Sequence, residues 1–420
     1  MKKCDKRPAA RRGLVVLTAC VLAGVTPVTA LAAKRPNDNL SDVEAPRPDI
    51  DRDLSPEFAY SQDKWAALRD NVMEYGELAD LIHEYNPTVL NNRTEYDDYR
   101  GKSSDRFKND YADMVQELYD ASDKMLDNVD EDMPGYAGAL AGSVSTRIQA
   151  ERMQETADAE NTDGDVKKLE YDRQEAELVR TAQGKMNQYW QKVKQKKSLE
   201  AELSLAQSRQ AAVAVKVQAG MEPQARLLEA DEKVESARAA IEANDQELDT
   251  VRRELCVMTG WSYDAAPEIR EIPVLRAADI GEIDLAADKE RAVEKNYALR
   301  AGERRMNNTT YGTAQNQVLR VNVESAGQKI RADVQSRYDQ LLQAKADQAQ
   351  AATELELERK NMDTASRKLD LGLIKRNEFL EAQSAFSAKE AAEEVSALKL
   401  TQAQEDYWWA VYGLADAGSL

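Results

Sequence analysis

The sequence predicts an all-α protein made of two repeats of long antiparallel coiled-coil helical hairpins. Three observations carry this. First, Val217-Gln218-Ala219-Gly220 followed by Leu228-Glu229-Ala230 returns as Leu369-Asp370-Leu371-Gly372 followed by Leu380-Glu381-Ala382, with glycines and triplets both 152 positions apart. A helix–Gly turn–helix unit recurring at a fixed spacing marks an architectural duplication. Second, apolar residues fall seven apart on both sides of each glycine. After Gly220 these are Leu227, Val234, Ile241, Leu248 and Leu255, with Ala230, Ala237, Val251 and Met258 at the partner positions. Before Gly372 they are Leu341, Leu355, Met362 and Leu369, and after it Phe379, Phe386, Leu400 and Tyr407. A seven-residue repeat keeps one seam facing a partner helix. Asn244, Gln348, Glu358 and Glu393 interrupt these seams. Third, the chain is 32% charged and only 6% aromatic, which suits thin bundles better than one thick globule.

The elements follow in order. Residues 1–33 read as a secretory signal: Lys2, Lys3, Lys6, Arg7, Arg11 and Arg12 form a basic start, an apolar stretch runs from Gly13 to Val28, and Ala30-Leu31-Ala32 fits a small-x-small cleavage site. Leu17-Thr18-Ala19-Cys20 resembles a lipobox, so lipidation at Cys20 is the alternative to ordinary cleavage near Ala32; the apolar run continuing past Cys20 favours cleavage. After cleavage Cys256 is the remaining cysteine, which excludes an intrachain disulfide. No later segment has the roughly 18 consecutive apolar residues of a membrane-spanning helix.

Residues 34–58, with Pro36, Pro46, Pro48 and Pro56 among acidic side chains, read as an extended arm. The first helical repeat covers 59–260. Its expected helices are Ser61–Tyr85, ending at Asn86-Pro87 because the residue before proline avoids the helical region, then 104–128, about 140–159, Val166–Ala219, and one from Gly220 to about Met258. The proline-free stretch from Val166 would make a rod of roughly 80 Å at about 1.5 Å per residue. Residues 261–285, with Pro267 and Pro273, form a connector. The second repeat covers 286–414: a helix near 286–306, a polar break at Asn307–Asn316, a long helix to Leu371, and a closing helix to about Tyr412. Residues 415–420 are a tail.

Few residues invite chemistry. His83 is the one histidine, so no Ser/His/Asp set forms without it. Cys256 sits beside a heptad seam and reads as a buried thiol. The acidic loops Asp127–Asp132 and Asp158–Asp165 lack calcium-loop spacing. No phosphate-cradling Gly-rich loop occurs. The sequence therefore predicts no catalytic residue, cofactor or metal site, and not an enzyme. The net charge of −19 gives solvated acidic helix faces and disfavours nucleic-acid phosphates.

Over most of residues 75–414 the pattern resembles the outer-membrane efflux factors, the TolC family. Asn86-Pro87-Thr88-Val89 matches the motif at the start of the family's first repeat, and Asn296-Tyr297-Ala298-Leu299 matches the second without its proline. Gly220 and Gly372 match the two turns, Pro267–Pro273 the connector, and Tyr407–Leu414 the closing segment. The resemblance implies a homotrimeric α-helical duct whose Gly turns dock a periplasmic adaptor of an inner-membrane pump, at the outer membrane or elsewhere in the cell envelope. It implies docking tips at Gly220, Met221 and Glu222 and at Gly372, Leu373 and Ile374, with an acidic entrance ring at Glu378 and Glu381. At the corresponding positions after Gly220 stand Arg226 and Glu229. The family's membrane-spanning β-barrel should arise between each asparagine motif and Gly turn. The second interval is 76 positions against 134 in the first, and its one good alternation, Leu319–Glu324, is too short. Little or no barrel is expected. The alternative is a secreted, non-conducting coiled-coil scaffold of the envelope.

Overall fold

The computed structural model describes residues 59–127, 129–277 and 281–420. The signal segment with Cys20 and Ala32, and the 34–58 arm, lie outside the described residues.

Four helices dominate: α6 (Gly164–Gln218), α7 (Gln224–Met258), α10 (Ala314–Asp370) and α11 (Arg376–Trp409). α6 packs on α7 and α10 on α11 as the heptads require, and α6 also packs on α11. The result is a row, α7–α6–α11–α10, with α7 and α10 as its edges. The central pair runs antiparallel. Ser208 Oγ lies 2.7 Å from Asn377 Oδ1 near the tips, and buried Asn187 Nδ2 donates to Leu398 O over 2.8 Å further along. Both hairpin turns therefore lie at one end of the molecule.

Shorter helices cover the other half of α6 and α10. In the first repeat these are α1 (Gln62–Ala67), α2 (Leu78–Tyr85) and α3 (Pro87–Tyr99); in the second, α8 (Leu285–Lys295) and α9 (Tyr297–Asn307). Here two cores form. One gathers Trp65, Leu81, Ile82, Met186 and Leu255, the other Ile330, Val334, Leu341, Leu400 and Tyr407.

Two expected helices are broken. The helix anticipated over Ser61–Tyr85 is α1, then the strand Val72–Met73, a single 3-10 turn, and α2. Asp70 Oδ1 accepts from Val72 N at 2.7 Å, which turns the chain out of α1. Val72–Met73 then pairs in parallel with Glu268–Ile269 of the connector. The helix anticipated over 286–306 splits at Asn296, whose backbone is extended.

That asparagine reveals a shared device. Asn86 Oδ1 caps α3 by accepting from Thr88 N (2.9 Å), while its Nδ2 donates to Met258 O (2.8 Å) at the end of α7. Asn296 Oδ1 caps α9 by accepting from Leu299 N (2.9 Å), while its Nδ2 donates to Ala415 O (2.8 Å) just beyond α11. Each asparagine satisfies orphan groups at a helix start and fastens the end of its own repeat to the beginning.

The connector is a strap across the row. Arg270 O accepts from Trp190 Nε1 of α6 (2.8 Å), Leu275 N donates to Thr401 Oγ1 of α11 (2.9 Å), and Ala277 N donates to Gln348 Oε1 of α10 (3.0 Å). Gln348 also donates to Glu393 Oε1 (3.1 Å), which pairs with Arg276. Two polar interruptions of the heptad seams thus meet each other and hold the strap. A third, Asn244, donates to Lys192 O at 3.2 Å.

Between α3 and α6 stands a third, shorter helical hairpin, α4 (Ser104–Lys124) and α5 (Tyr136–Ala159). Its seam is made of small residues spaced by sevens: Val115 and Ser122 against Ser143, Ala150 and Ala157, all buried. Ser122 Oγ and Ser143 Oγ are 2.8 Å apart. This hairpin occupies the interval in which the resemblance places the first repeat's barrel strands. In the second repeat the same interval is the turn 308–313 between α9 and α10, and Leu319–Glu324 is helical. Among the described residues the strands amount to Val72–Met73 and Glu268–Ile269.

Candidate functional site

The two tips are built alike. Gly220 and Gly372 take φ of 70° and 69°, a left-handed conformation that costs other residues steric energy. In the first, Met221 N donates to Lys216 O (2.8 Å) and Gly220 N to Val217 O (2.9 Å); in the second, Leu373 N donates to Lys368 O (2.8 Å) and Gly372 N to Leu369 O (2.9 Å). Both are Schellman caps, with identical bonding 152 positions apart.

The residue after each glycine is left in solvent: Met221 is 76% and Leu373 69% exposed. Leu371, beside Gly372, is exposed as well, whereas Ile374 is half-buried. Glu222 is half-buried and receives Lys216 Nζ at 2.9 Å. Tip two is therefore more apolar than tip one.

Glu378 and Glu381 both lie exposed in the first turns of α11. The structure brings Glu381 to the first repeat, where Arg209 Nη2 of α6 meets its Oε1 at 2.6 Å. The counterpart pair after Gly220 is internal, Arg226 Nη1 to Glu229 Oε2 at 2.8 Å. These are surface pairs, each worth about 0–1 kcal/mol.

Sequence reasoning missed the groove beside the tips. α6, α7 and the start of α11 border an open groove of about 1010 Å³ over an alanine floor that includes Ala206, Ala230 and Ala237, with Arg209, Lys216 and Lys233 and also Glu202, Glu222 and Glu229 along its sides. Alanine at one seam position makes the floor shallow and smooth, and charged residues of both signs at flanking positions make a rim of ion pairs, Lys216 with Glu222 and Arg226 with Glu229 among them. That signal was present in the heptads, but only the crossing of α11 turns it into a groove.

The residues considered for chemistry have structural partners. His83 Nδ1 lies 2.7 Å from Glu175 Oε1. Burial works to raise the Glu175 carboxyl, but His83 and Arg93 outweigh it and hold it below the usual range. Cys256 is fully buried, which pushes its thiol up to about 11 and leaves it a poor nucleophile. Among the described residues no group of three or more His, Cys, Asp or Glu side chains is placed to hold a metal ion.

No protein-family profile and no curated protein matches the chain. Solved structures do. A membrane protein from Pseudomonas aeruginosa superposes with a TM-score of 0.51 at 13% identity, covering 82% of this chain and 91% of that one. The outer membrane protein VceC of Vibrio cholerae gives a TM-score of 0.51 at 8% identity, covering 81% and 96%. At these identities the likeness is one of fold alone, and it is the TolC-like fold.

Proposed function

We propose that this chain is the exit-duct component of an export system in the cell envelope, with three copies closing a helical tunnel and the tips receiving an adaptor of an inner-membrane pump. The observation that carries this reading is the open row of four long helices with both turns at one end. A row with two free edges does not enclose anything, and side-by-side copies joining α7 to a neighbour's α10 would close it. The outward faces of these edges carry Ala239 and Ala243 on α7 and Ala346 and Ala349 on α10, all exposed, which permits close approach. The fold shared with an outer membrane protein supports the same reading.

Met221 and Leu373, matched apolar residues aimed into solvent by a rigid cap, are the contacts proposed for the adaptor, with Gly220, Glu222, Gly372 and Ile374 shaping them. Glu378 and Glu381 would line the entrance. The test replaces Met221 and Leu373 with Ser together. Helicity and thermal stability should hold, while affinity for a co-purified adaptor should fall tenfold or more, about 1.4 kcal/mol. Unchanged affinity removes the tips from the docking surface. Sedimentation to a monomer at micromolar concentration removes the tunnel.

One observation favours the second reading, a non-conducting envelope scaffold: helices occupy the interval in which the resemblance places barrel strands. Flotation of the mature protein with membranes separates the two, since stable insertion that needs detergent supports a conduit.

A further inference from the structure

The α4–α5 hairpin has an outer surface that the two-hairpin row does not explain. α4 and α5 pack on each other, and the hairpin is tied to the body at its base, where Gly164 N donates to Lys102 O (3.0 Å) and Gln315 Nε2 to Ala159 O (2.8 Å). That base lies at the start of α6, so the hairpin stands at the opposite end of the long helices from Gly220 and Gly372. From Asp105 to Asp132, α4 and the loop after it are acidic. From Met133 to Thr146 the chain then carries no charge at all, in a protein that is 32% charged. Within this window Leu140 and Val144, and just past it Ile148, fall four apart on one face of α5 and remain 39–48% exposed. Gly138, Ala141 and Ser145 lie beside them, also exposed, and small neighbours permit a short interaxial distance.

We infer that the α4–α5 hairpins of separate copies of this chain pack on one another through the Leu140–Val144–Ile148 stripe, making a helical bundle at the end of the assembly opposite the tips. The charge pattern selects the occupant. Every copy brings the same acidic α4 and acidic loop, so neighbouring hairpins repel there and not at the uncharged window, where the exposed aliphatic groups gain from leaving water. A basic partner would be drawn instead to α4 and the acidic loop. Lipid is disfavoured because the acidic α4 and the acidic loop beside the stripe repel anionic headgroups. The inference rests on the proposed side-by-side assembly, which brings the hairpins of neighbouring copies to the same end.

The test uses the full chain carrying Cys4→Ser and Cys20→Ser, with Cys256 left in its buried place. Val144→Cys, oxidised with copper phenanthroline, should give disulfide-linked dimers, and Asp113→Cys on the acidic face should not. In an Ala141→Cys reporter, adding Leu140→Ser, Val144→Ser and Ile148→Ser should lower cross-linking at least tenfold with unchanged helicity. A separate variant carrying Ala243→Cys and Ala346→Cys reports closure of the row. Edge links without Val144 links overturn the inference and leave the duct intact. Val144 links without edge links support the hairpin contact and remove the closed row. Absence of both overturns both. A Val144→Cys chain labelled with an environment-sensitive dye, whose emission shifts to the blue on adding phosphatidylethanolamine–phosphatidylglycerol vesicles, would assign the stripe to lipid and overturn the inference.

Discussion

From the capping asparagine to the tip glycine, the first repeat takes 134 positions and the second 76. The surplus is the α4–α5 hairpin with its linkers. Elsewhere the repeats correspond: Asn86 with Asn296, Gly220 with Gly372, α6 with α10, α7 with α11. The ends correspond too. Gly260 closes the first repeat against Tyr85, and Gly413 closes the second against Lys295 and Tyr297. What was kept in both copies is what a hairpin needs to turn and to fasten its ends. What differs lies at a surface interval, where insertion perturbs no seam. The comparison separates a structural frame common to both repeats from a module owned by one.

The sharpest way to break that correspondence is at the closing glycines. A Cβ at Gly260 would stand 2.2 Å from Tyr85 Cβ, on a backbone with φ of +81°. Gly260→Ala should destabilise by about 3 kcal/mol or more, because two parts of the backbone must separate. Gly413→Ala, meeting Lys295 O at 3.0 Å and the Tyr297 ring at 2.9 Å, should cost somewhat less. Gly220→Ala and Gly372→Ala, open on all sides, should cost only about 1–2 kcal/mol each. Denaturant titration ranks the four, and equal losses at tip and closing glycines would sink the distinction.

Next come the asparagines. Asn86→Ala and Asn296→Ala each lose a cap and strand a carbonyl at the repeat's end, for about 2–3 kcal/mol. Asn→Asp keeps the cap acceptor and loses the donor, so it should recover part of that loss. Unequal behaviour of the two sites in thermal melts would show that the repeats are not fastened alike.

The third expectation concerns pH at the junction of the repeats. Asp163 is nearly fully buried, caps α6 through Val166 N (2.8 Å), and receives Arg304 Nε (2.6 Å) and Asn308 Nδ2 (2.9 Å). Burial works to raise its carboxyl, but these hydrogen bonds and Arg304 outweigh burial and lower it. A carboxyl lowered in the folded state stabilises above its unfolded value and loses that stabilisation as pH falls through the folded one. Asp163→Asn, which still caps, should lose about 1–3 kcal/mol at neutral pH, with the gap to the parent narrowing below pH of about 4. A gap independent of pH in unfolding titrations would contradict this.

The smallest expected effect is from the largest change. Tyr99 O and Gly164 are adjacent, since a Cβ on Gly164 would lie 2.4 Å from that oxygen. Replacing the α4–α5 hairpin by a short Gly–Ser link between α3 and α6 should leave the melting of the remaining body within a few degrees. Collapse of the body would show that the hairpin is part of the frame.

The heptads made the long helices and both turns legible, because period and Gly position are local properties of the chain. The broken helices were not. No proline marks a break between Ser61 and Tyr85, and what interrupts the helix is pairing of Val72–Met73 with Glu268–Ile269 almost 200 positions away. At the candidate site, the turn residues were visible, but the tie of Glu381 to Arg209 and the alanine-floored groove depend on α11 crossing α6. The polar residues Gln348 and Glu393 looked like defects in a seam; only the strap explains them.

The strap also orders the making of the molecule. Each long hairpin closes around its own tip, joining residues close in sequence, and such local contacts form early. Arg276 with Glu393 and Leu275 with Thr401, by contrast, span 117 and 126 positions. The strap has no seat until α10 and α11 are already side by side, so the segment made in the middle of the chain should be among the last to settle. Its docking then reports that both halves have folded and met, and variants at Gln348 or Thr401 should slow this final step while leaving hairpin formation unchanged.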